Sequence, residues 1–587
     1  MKTILRIPAW LAGCILAALP LSAPAQSSDE ALAAFFRQYL DESFALRPFS
    51  ATQMGDHRFD WQLDDLSAAG RTRWVEQTRR ALAALPQRVD YAKLSRDRQV
   101  DFEIIRHELE KSIWLAENTR PFEDDPRIYN DYLNDSIYLL LAQSSLPRET
   151  NVANAIARMA HLPRVVETAK QNLRNPPRVF VETAIRQNQG AIAFYETDIF
   201  SYAGQSAQRG ALKSATLPVV AALKDYQQFL EKDLLPRANG EWRLGKDKFG
   251  RKLELDAGLT ADQVLADAEA EFERVQREMY VVACQLWSQY FPLLPLLPDD
   301  AAGRRETVQR VLSRIAQKHG TPQTLVRDVK GAVKELKRFL RDRPILLLPE
   351  PDRCQIIEMP EFQRGNSTAY MNSPPPLDTN ATGFYAVSPP PKDWSAERVK
   401  SYFEEYNNEM LRILTIHEAY PGHYVQFEYA NARGSLPRNV LSSGPYVEGW
   451  AVYTEQMMLD QGYGAGDLAL RLTQLKFYLR AVVNAILDHK MHCTAMSDAE
   501  AMTLLTEGGY QSEGEARLKV IRAKQSSAQL STYFVGRMAH YRARQQMSRE
   551  RGEQFSLPRY HQAVLDLGPV PVKYLPELVK RRLDEIQ

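Results

Sequence analysis

The sequence predicts a mainly α-helical fold of many helices, with one small β-sheet of short strands just ahead of its most chemically loaded stretch. Three observations lead there. Apolar residues recur at three and four spacings between charged faces through most of the chain. Turn residues cut this pattern into many segments with no fixed repeat of about 20–50 residues, which excludes a solenoid. Only between Arg343 and Lys392 does the pattern change, to short apolar or alternating runs separated by proline clusters.

In chain order, Met1 to Ala25 carries Lys2 and Arg6, an apolar run from Ile7 to Leu21, and small Ala23-Pro24-Ala25 before polar Gln26. That is the plan of a secretory signal cleaved after Ala25, so the chain is expected to be exported, most simply to a periplasm. A lipobox-like Leu11-Ala12-Gly13-Cys14 offers the alternative of a lipoprotein anchored through Cys14. No later run is long and uncharged enough to span a bilayer. Net charge is +1 over 587 residues, which gives no reason to expect nucleic acid or an anionic surface as partner. The sequence says nothing of oligomeric state.

Helices are expected over Ala31–Leu46, Arg71–Leu85, Arg96–Asn118 and Leu217–Leu235, and His57, His107 and His161 in this half have no partner at ligand spacing. The turn-rich stretch from Gly240 to Gly258 suggests a boundary, dividing the mature chain into a helical half, 26–240, and a second half, 241–587. Thr260 with Gln263 forms a capping box for a helix to about Tyr290, followed by helices over Arg305–Lys318 and Pro322–Asp342. Strands are expected in the runs Ile345–Leu348, Gln355–Ile357, Ala369–Met371 and Gly383–Val387, and the edge of such a sheet can pair with an extended peptide. Ser395 caps a helix running towards residue 417. Ser497 to Glu500 is a further capping box, and Glu515–Arg522 and Thr532–Met547 read as helices.

The chemistry concentrates in His417-Glu418-Ala419-Tyr420-Pro421-Gly422-His423. Two imidazoles and a carboxylate are the core of a site in which zinc activates water. The usual spacing puts two histidines four apart on one helical face; here they are six apart, which on a regular helix leaves them roughly 120° apart in direction. Pro421-Gly422 predicts a bulge or kink that brings the rings back together. A third ligand is sought in Glu448-Gly449-Trp450-Ala451-Val452-Tyr453-Thr454-Glu455. Glu448 completes a two-histidine, one-glutamate set with an open fourth position, and Glu455 orients a ligand histidine; the reverse assignment stays open. Glu418 is suited to act as general base.

These motifs, with Gln426, resemble the bacterial family known as domain of unknown function 885. The resemblance extends to Asp488 and His492, to Arg522 with Gln529, Tyr533 and Gly536, and to Arg47-Pro48 and Leu63-Asp64 near the start. It implies a large multi-helix, zincin-like metallopeptidase fold, with the small sheet beside an active-site cleft between the halves. It also implies one Zn2+ per chain and a peptide substrate. Tyr533 is then the expected oxyanion donor, with His492, paired to Asp488, as the other candidate. Gln426, Arg522 and Gln529 are expected to support ligands or substrate. The chain departs from the family pattern at Ser527-Ala528, where Pro-Gly is expected, and at Ala523, where an aromatic is usual. Two other readings remain: hydrolysis of a non-peptide amide, and a catalytically silent binding protein that keeps zinc for structure.

Overall fold

The computed structural model describes residues 27–359, 369–391 and 394–585. The expected signal segment and Cys14 lie outside them. The described chain is mainly helical, with one three-stranded sheet. None of its helices is long and apolar enough to cross a membrane.

The capping signals act where they were read. Thr260 and Gln263 cap Ala261–Tyr290 reciprocally, and Ser497 and Glu500 cap Asp498–Thr503. The early helices fall at Ser28–Leu46, Ala68–Arg88, Arg96–Asn118 and Arg209–Gln228.

The sheet has three strands, β1 (Cys354–Glu358), β2 (Ala369–Asn372) and β3 (Gly383–Val387), in the order β1-β3-β2. β1 runs parallel to β3, pairing Ile356 with Tyr385, and β2 runs antiparallel, pairing Met371 with Tyr385. The fourth expected strand, Ile345–Leu348, does not form. Ile345 and Leu346 are buried, but two carbonyls of this stretch, those of Ile345 and Leu347, accept from side chains. His561 Nδ1–H donates to Ile345 at 2.9 Å and the Tyr429 hydroxyl donates to Leu347 at 2.9 Å. An apolar run predicts burial; whether its backbone joins a ladder depends on which donors reach it.

Six helices build the site: α1 (Asn408–Glu418), α2 (His423–Arg433), α3 (Gly444–Asp460), α4 (Leu468–Cys493), α5 (Glu513–Gln525) and α6 (Gln529–Arg551). The helix expected from Ser395 to residue 417 is in fact two. Ser395 caps Ala396–Glu405, and Asn407 then accepts from the amides of Glu409 and Met410 to start α1 afresh.

One hydrophobic core joins the sheet to α1, α2 and α3, and a second joins the long helix Ala261–Tyr290 to α4, α5 and α6. A third lies largely within residues 121–238. The polar residues described next stand along the seam between the first two cores.

Candidate metal centre

The two motif histidines meet because the chain leaves the helix between them. α1 ends at Glu418, where the amides of Ala419 and Tyr420 both donate to the Thr415 carbonyl at 3.0 and 3.2 Å. α2 begins at His423, so the expected kink in one helix is a complete break between two. Pro421 cannot donate to the carbonyl of His417. A Cβ placed on Gly422 would stand 1.8 Å from the His417 carbonyl oxygen, so only glycine lets the chain turn this tightly. Trp450 Nε1–H donates to the Pro421 carbonyl at 2.9 Å, tying the turn to α3. The imidazole centroids end up 4.8 Å apart with their planes nearly perpendicular.

Glu448, on α3, faces both rings. Its Oε2 is 3.4 Å from His423 Nε2 and 3.7 Å from His417 Nε2, and it accepts no hydrogen bond although it is buried. The outer nitrogens are already engaged. His417 Nδ1–H donates to Glu455 Oε1 at 2.7 Å, and the Gln426 amide stands 2.8 Å from His423 Nδ1 while donating to the Val447 carbonyl at 3.0 Å. Of the two glutamates, Glu448 thus joins the Nε2 atoms and Glu455 stands behind His417. Among the described residues, His417, His423 and Glu448 are the one group of His, Cys, Asp or Glu side chains whose donor atoms converge closely enough to share a metal ion.

Electrostatics follow from this crowding. Burial alone would raise the Glu448 carboxyl, but the adjoining His417 and His423 rings hold it well below the usual carboxylate range. Burial pushes the Glu455 carboxyl up, with His417 pulling the other way. His417 is raised in spite of its burial, because it lies between two carboxylates. A buried carboxylate oxygen with no hydrogen-bond partner, facing the Nε2 atoms of two imidazoles, is what a divalent cation would satisfy.

Glu418 closes α1 beside the first histidine; it is 8% exposed and its carboxylate makes no hydrogen bond among the described residues. Tyr385 of β3 reaches towards this helix, its hydroxyl 3.3 Å from Thr415 Oγ1.

Across from Glu448 stands Tyr533 of α6. Its hydroxyl accepts from Arg522 at 3.0 Å and from the Gln529 amide at 3.3 Å. Burial and the Glu448 carboxylate together raise the phenol above its ordinary pKa. Two glycines set how closely it approaches. A Cβ on Gly449 would fall 2.2 Å from the Gly536 carbonyl carbon, and one on Gly536 would fall 1.8 Å from the Pro445 carbonyl oxygen. α3 and α6 therefore cross backbone to backbone, next to Glu448 and one turn from Tyr533.

His492 and Asp488 are placed otherwise than expected, and they do not pair. His492 Nε2–H donates to the carbonyls of Ser526 at 2.7 Å and Ala523 at 3.0 Å, and Nδ1 accepts from the Leu244 amide at 3.4 Å. Phe249 stacks on its ring. With both nitrogens engaged, His492 has none left for a reacting group. Asp488 accepts from the amides of Ala528 and Ser531 at 3.2 and 3.0 Å and from the Ser531 hydroxyl at 2.9 Å. Together they clamp the turn between α5 and α6 that presents Arg522, Gln529 and Tyr533. Within that turn Ala528 has φ of 64°, the left-handed region that favours glycine, and Lys252 donates to the Ser527 carbonyl and hydroxyl at 2.9 and 2.8 Å. The backbone at Ala528 thus takes a conformation that suits glycine, and here alanine tolerates it.

Sequence reasoning passed over Phe477, which packs on the His417 ring, and the cations Arg480 and Lys519. A signal for them existed: Arg480 interrupts the apolar run Tyr478-Leu479 to Ala481-Val482-Val483, and Lys519 falls among the buried Ala516, Val520 and Ala523 of α5.

Residues 48–579 match the family described as "Bacterial protein of unknown function (DUF885)". The chain belongs to that family. Two solved structures share its fold. One, from Shewanella oneidensis, is described as a lipoprotein of unknown function; it is 29% identical with a TM-score of 0.77, over 94% of this chain and 99% of its own. The other, a Colwellia psychrerythraea protein also described as a lipoprotein, is 18% identical with a TM-score of 0.76, over 95% and 100%. No curated protein matches the chain.

Proposed function

We propose that this DUF885 member is a zinc-dependent hydrolase that cleaves peptide bonds of oligopeptides outside the cytoplasm. The observation that carries the reading is the unpartnered Glu448 Oε2 opposite the Nε2 atoms of His417 and His423, with the free carboxylate of Glu418 one residue from the first ring. His417, His423 and Glu448 would hold the ion, leaving a position open as catalytic sites do. Zinc held there supplies Lewis acidity towards a carbonyl and a water molecule.

The protein's own groups then divide the work. Glu418 takes the proton from the attacking water and returns it to the leaving nitrogen. Glu455 and Gln426 fix the orientations of the two rings. Tyr533, whose hydroxyl accepts from Arg522 and Gln529 and keeps its own proton to give, donates to the developing oxyanion. Peptides fit this kit because an amide needs both an activated water and a protonated leaving group.

The test has three parts. Metal analysis of the mature protein should find about one zinc per chain, and His423→Ala should lose it. Glu418→Gln should retain metal and lose hydrolysis by at least about a hundredfold. A broad peptide library read by mass spectrometry should show cleavage by the wild type. Full zinc retention in His423→Ala defeats the ligand set, an unchanged rate in Glu418→Gln defeats the base, and an intact library transfers the machinery to a non-peptide amide or to a silent binding role.

Description of both structural relatives as lipoproteins supports a second reading of the N-terminus, with the chain anchored through Cys14. Incorporation of labelled palmitate in cells, abolished by Cys14→Ala, is the expected result; release of a soluble protein starting at Gln26 would contradict it.

A further inference from the structure

Beside the metal ligands stand three cations with few anions to meet them. Phe477 of α4 packs 5.8 Å from the His417 ring, and the Arg480 guanidinium lies 5.3 Å from that same phenyl ring. On the other flank Arg522 of α5 touches Tyr533. Lys519 lies three residues before Arg522, on the same face of α5. Glu515, which accepts from Arg480, lies four residues before Lys519 on that face, so the three charges border one space; burial, then the neighbouring Arg522 and Arg480, draws the Lys519 ammonium down to about 7.

Of the nearby carboxylates, Glu515 and Glu405 are already paired with cations, and Glu448 belongs to the candidate metal centre. Glu515 accepts from Arg480 on one oxygen and from the Tyr406 hydroxyl, at 3.1 Å, on the other. Glu405 accepts from Lys476 at 3.0 Å. Donors remain over. Lys519 is 7% exposed and makes no hydrogen bond or ion pair among the described residues. Arg480 Nη1 is buried with no acceptor, and Arg522 commits only Nη2, to Gln529 and Tyr533. A buried guanidinium nitrogen without an acceptor, such as Arg480 Nη1, is costly unless an anion arrives.

We propose that Arg480, Lys519 and Arg522 form a subsite for a substrate carboxylate next to the scissile bond, so that peptides carrying a carboxylate at that position are the preferred substrates. This rests on the peptide-hydrolase reading above. The carboxylate is either the free C-terminus or an acidic side chain, and both present the same paired oxygens to a guanidinium and an ammonium.

The experiment compares one cleavable peptide in three forms with the zinc-loaded full chain: free C-terminus, C-terminal amide, and amide with Asp as its last residue. The free acid should exceed the plain amide in kcat/KM by about ten- to a hundredfold, the range of a charge-assisted hydrogen bond. Recovery of the rate by the Asp amide assigns the side chain; no recovery assigns the terminal carboxylate. Lys519→Met, which keeps the stem of the side chain, should bring the acid-to-amide ratio towards one, chiefly through KM. Equal rates for all three forms in the wild type overturn the subsite while leaving the hydrolase standing. Calorimetric titration of acid and amide into zinc-loaded Glu418→Gln separates the opposite case. A tenfold binding preference for the acid supports the subsite even where nothing is cleaved, and no preference overturns it. Should Lys519→Met fail to fold, the wild-type comparison decides alone.

Discussion

Replacing Gly536 with alanine tests the claim that a backbone contact sets the geometry of the centre. The added methyl would lie 1.8 Å from the Pro445 carbonyl oxygen and 2.7 Å from Gly449 Cα. Ordinary contacts of this kind are nearer about 3.5 Å, so α3 and α6 must part by roughly 1.5 Å. Neither side of the clash is a side chain that can rotate away, which puts the overpacking penalty at the upper end of its range, about 3 kcal/mol. Better helix propensity returns about 1 kcal/mol, leaving a net loss near 2 kcal/mol. Parting the helices also moves Glu448, the neighbour of Gly449, relative to Tyr533. Metal–ligand distances tolerate only about 0.2 Å and a 1 Å displacement at a reacting centre costs on the order of a hundredfold in rate. Urea melts should show the stability loss, competitive chelation a weaker zinc affinity, and peptide assays the lower rate. A Gly536→Ala protein with parental stability and zinc affinity would refute the reasoning.

Two further outcomes are expected. Ala528→Gly removes a left-handed alanine and should stabilise the protein by about 1 kcal/mol in urea melts, without weakening hydrolysis; a loss of stability would show that the Ala528 methyl contributes more by packing than its backbone costs. His57 donates to Asp60 at 2.7 Å and Asp378 at 2.9 Å, and these partners, working against partial burial, raise it to about 9. A raised folded pKa means the contribution is complete below about 6.5 and fades as pH rises through about 9. Discounted for its exposure, it should be about 1–2 kcal/mol, read as the stability gap between wild type and His57→Gln at pH 6, and should nearly vanish by pH 9.5. A gap independent of pH would contradict it.

The helical class, the sheet region, the family, and the residues from which a metal centre can be drawn were all legible in the order of the amino acids. Those are local facts: apolar spacing selects helix or strand, Thr260 and Ser497 announce helix starts, and Pro421-Gly422 announces a break. Tertiary structure alone decided the rest, because each remaining question concerned where a side chain meets residues far along the chain. Spacing could not separate Glu448 from Glu455, seven positions apart on one helix; the turn of α3 against α1 puts one beside the two Nε2 atoms and the other behind His417. Nor could it tell that His492 would be bound to the carbonyls of Ala523 and Ser526 while Tyr533 faced Glu448. Ile345 and Leu346 read as strand and pack as core, since the donors that reached their stretch were His561 and Tyr429. Lys519 and Arg480 became visible as a pair only when α4 and α5 brought their charges to one wall of the site.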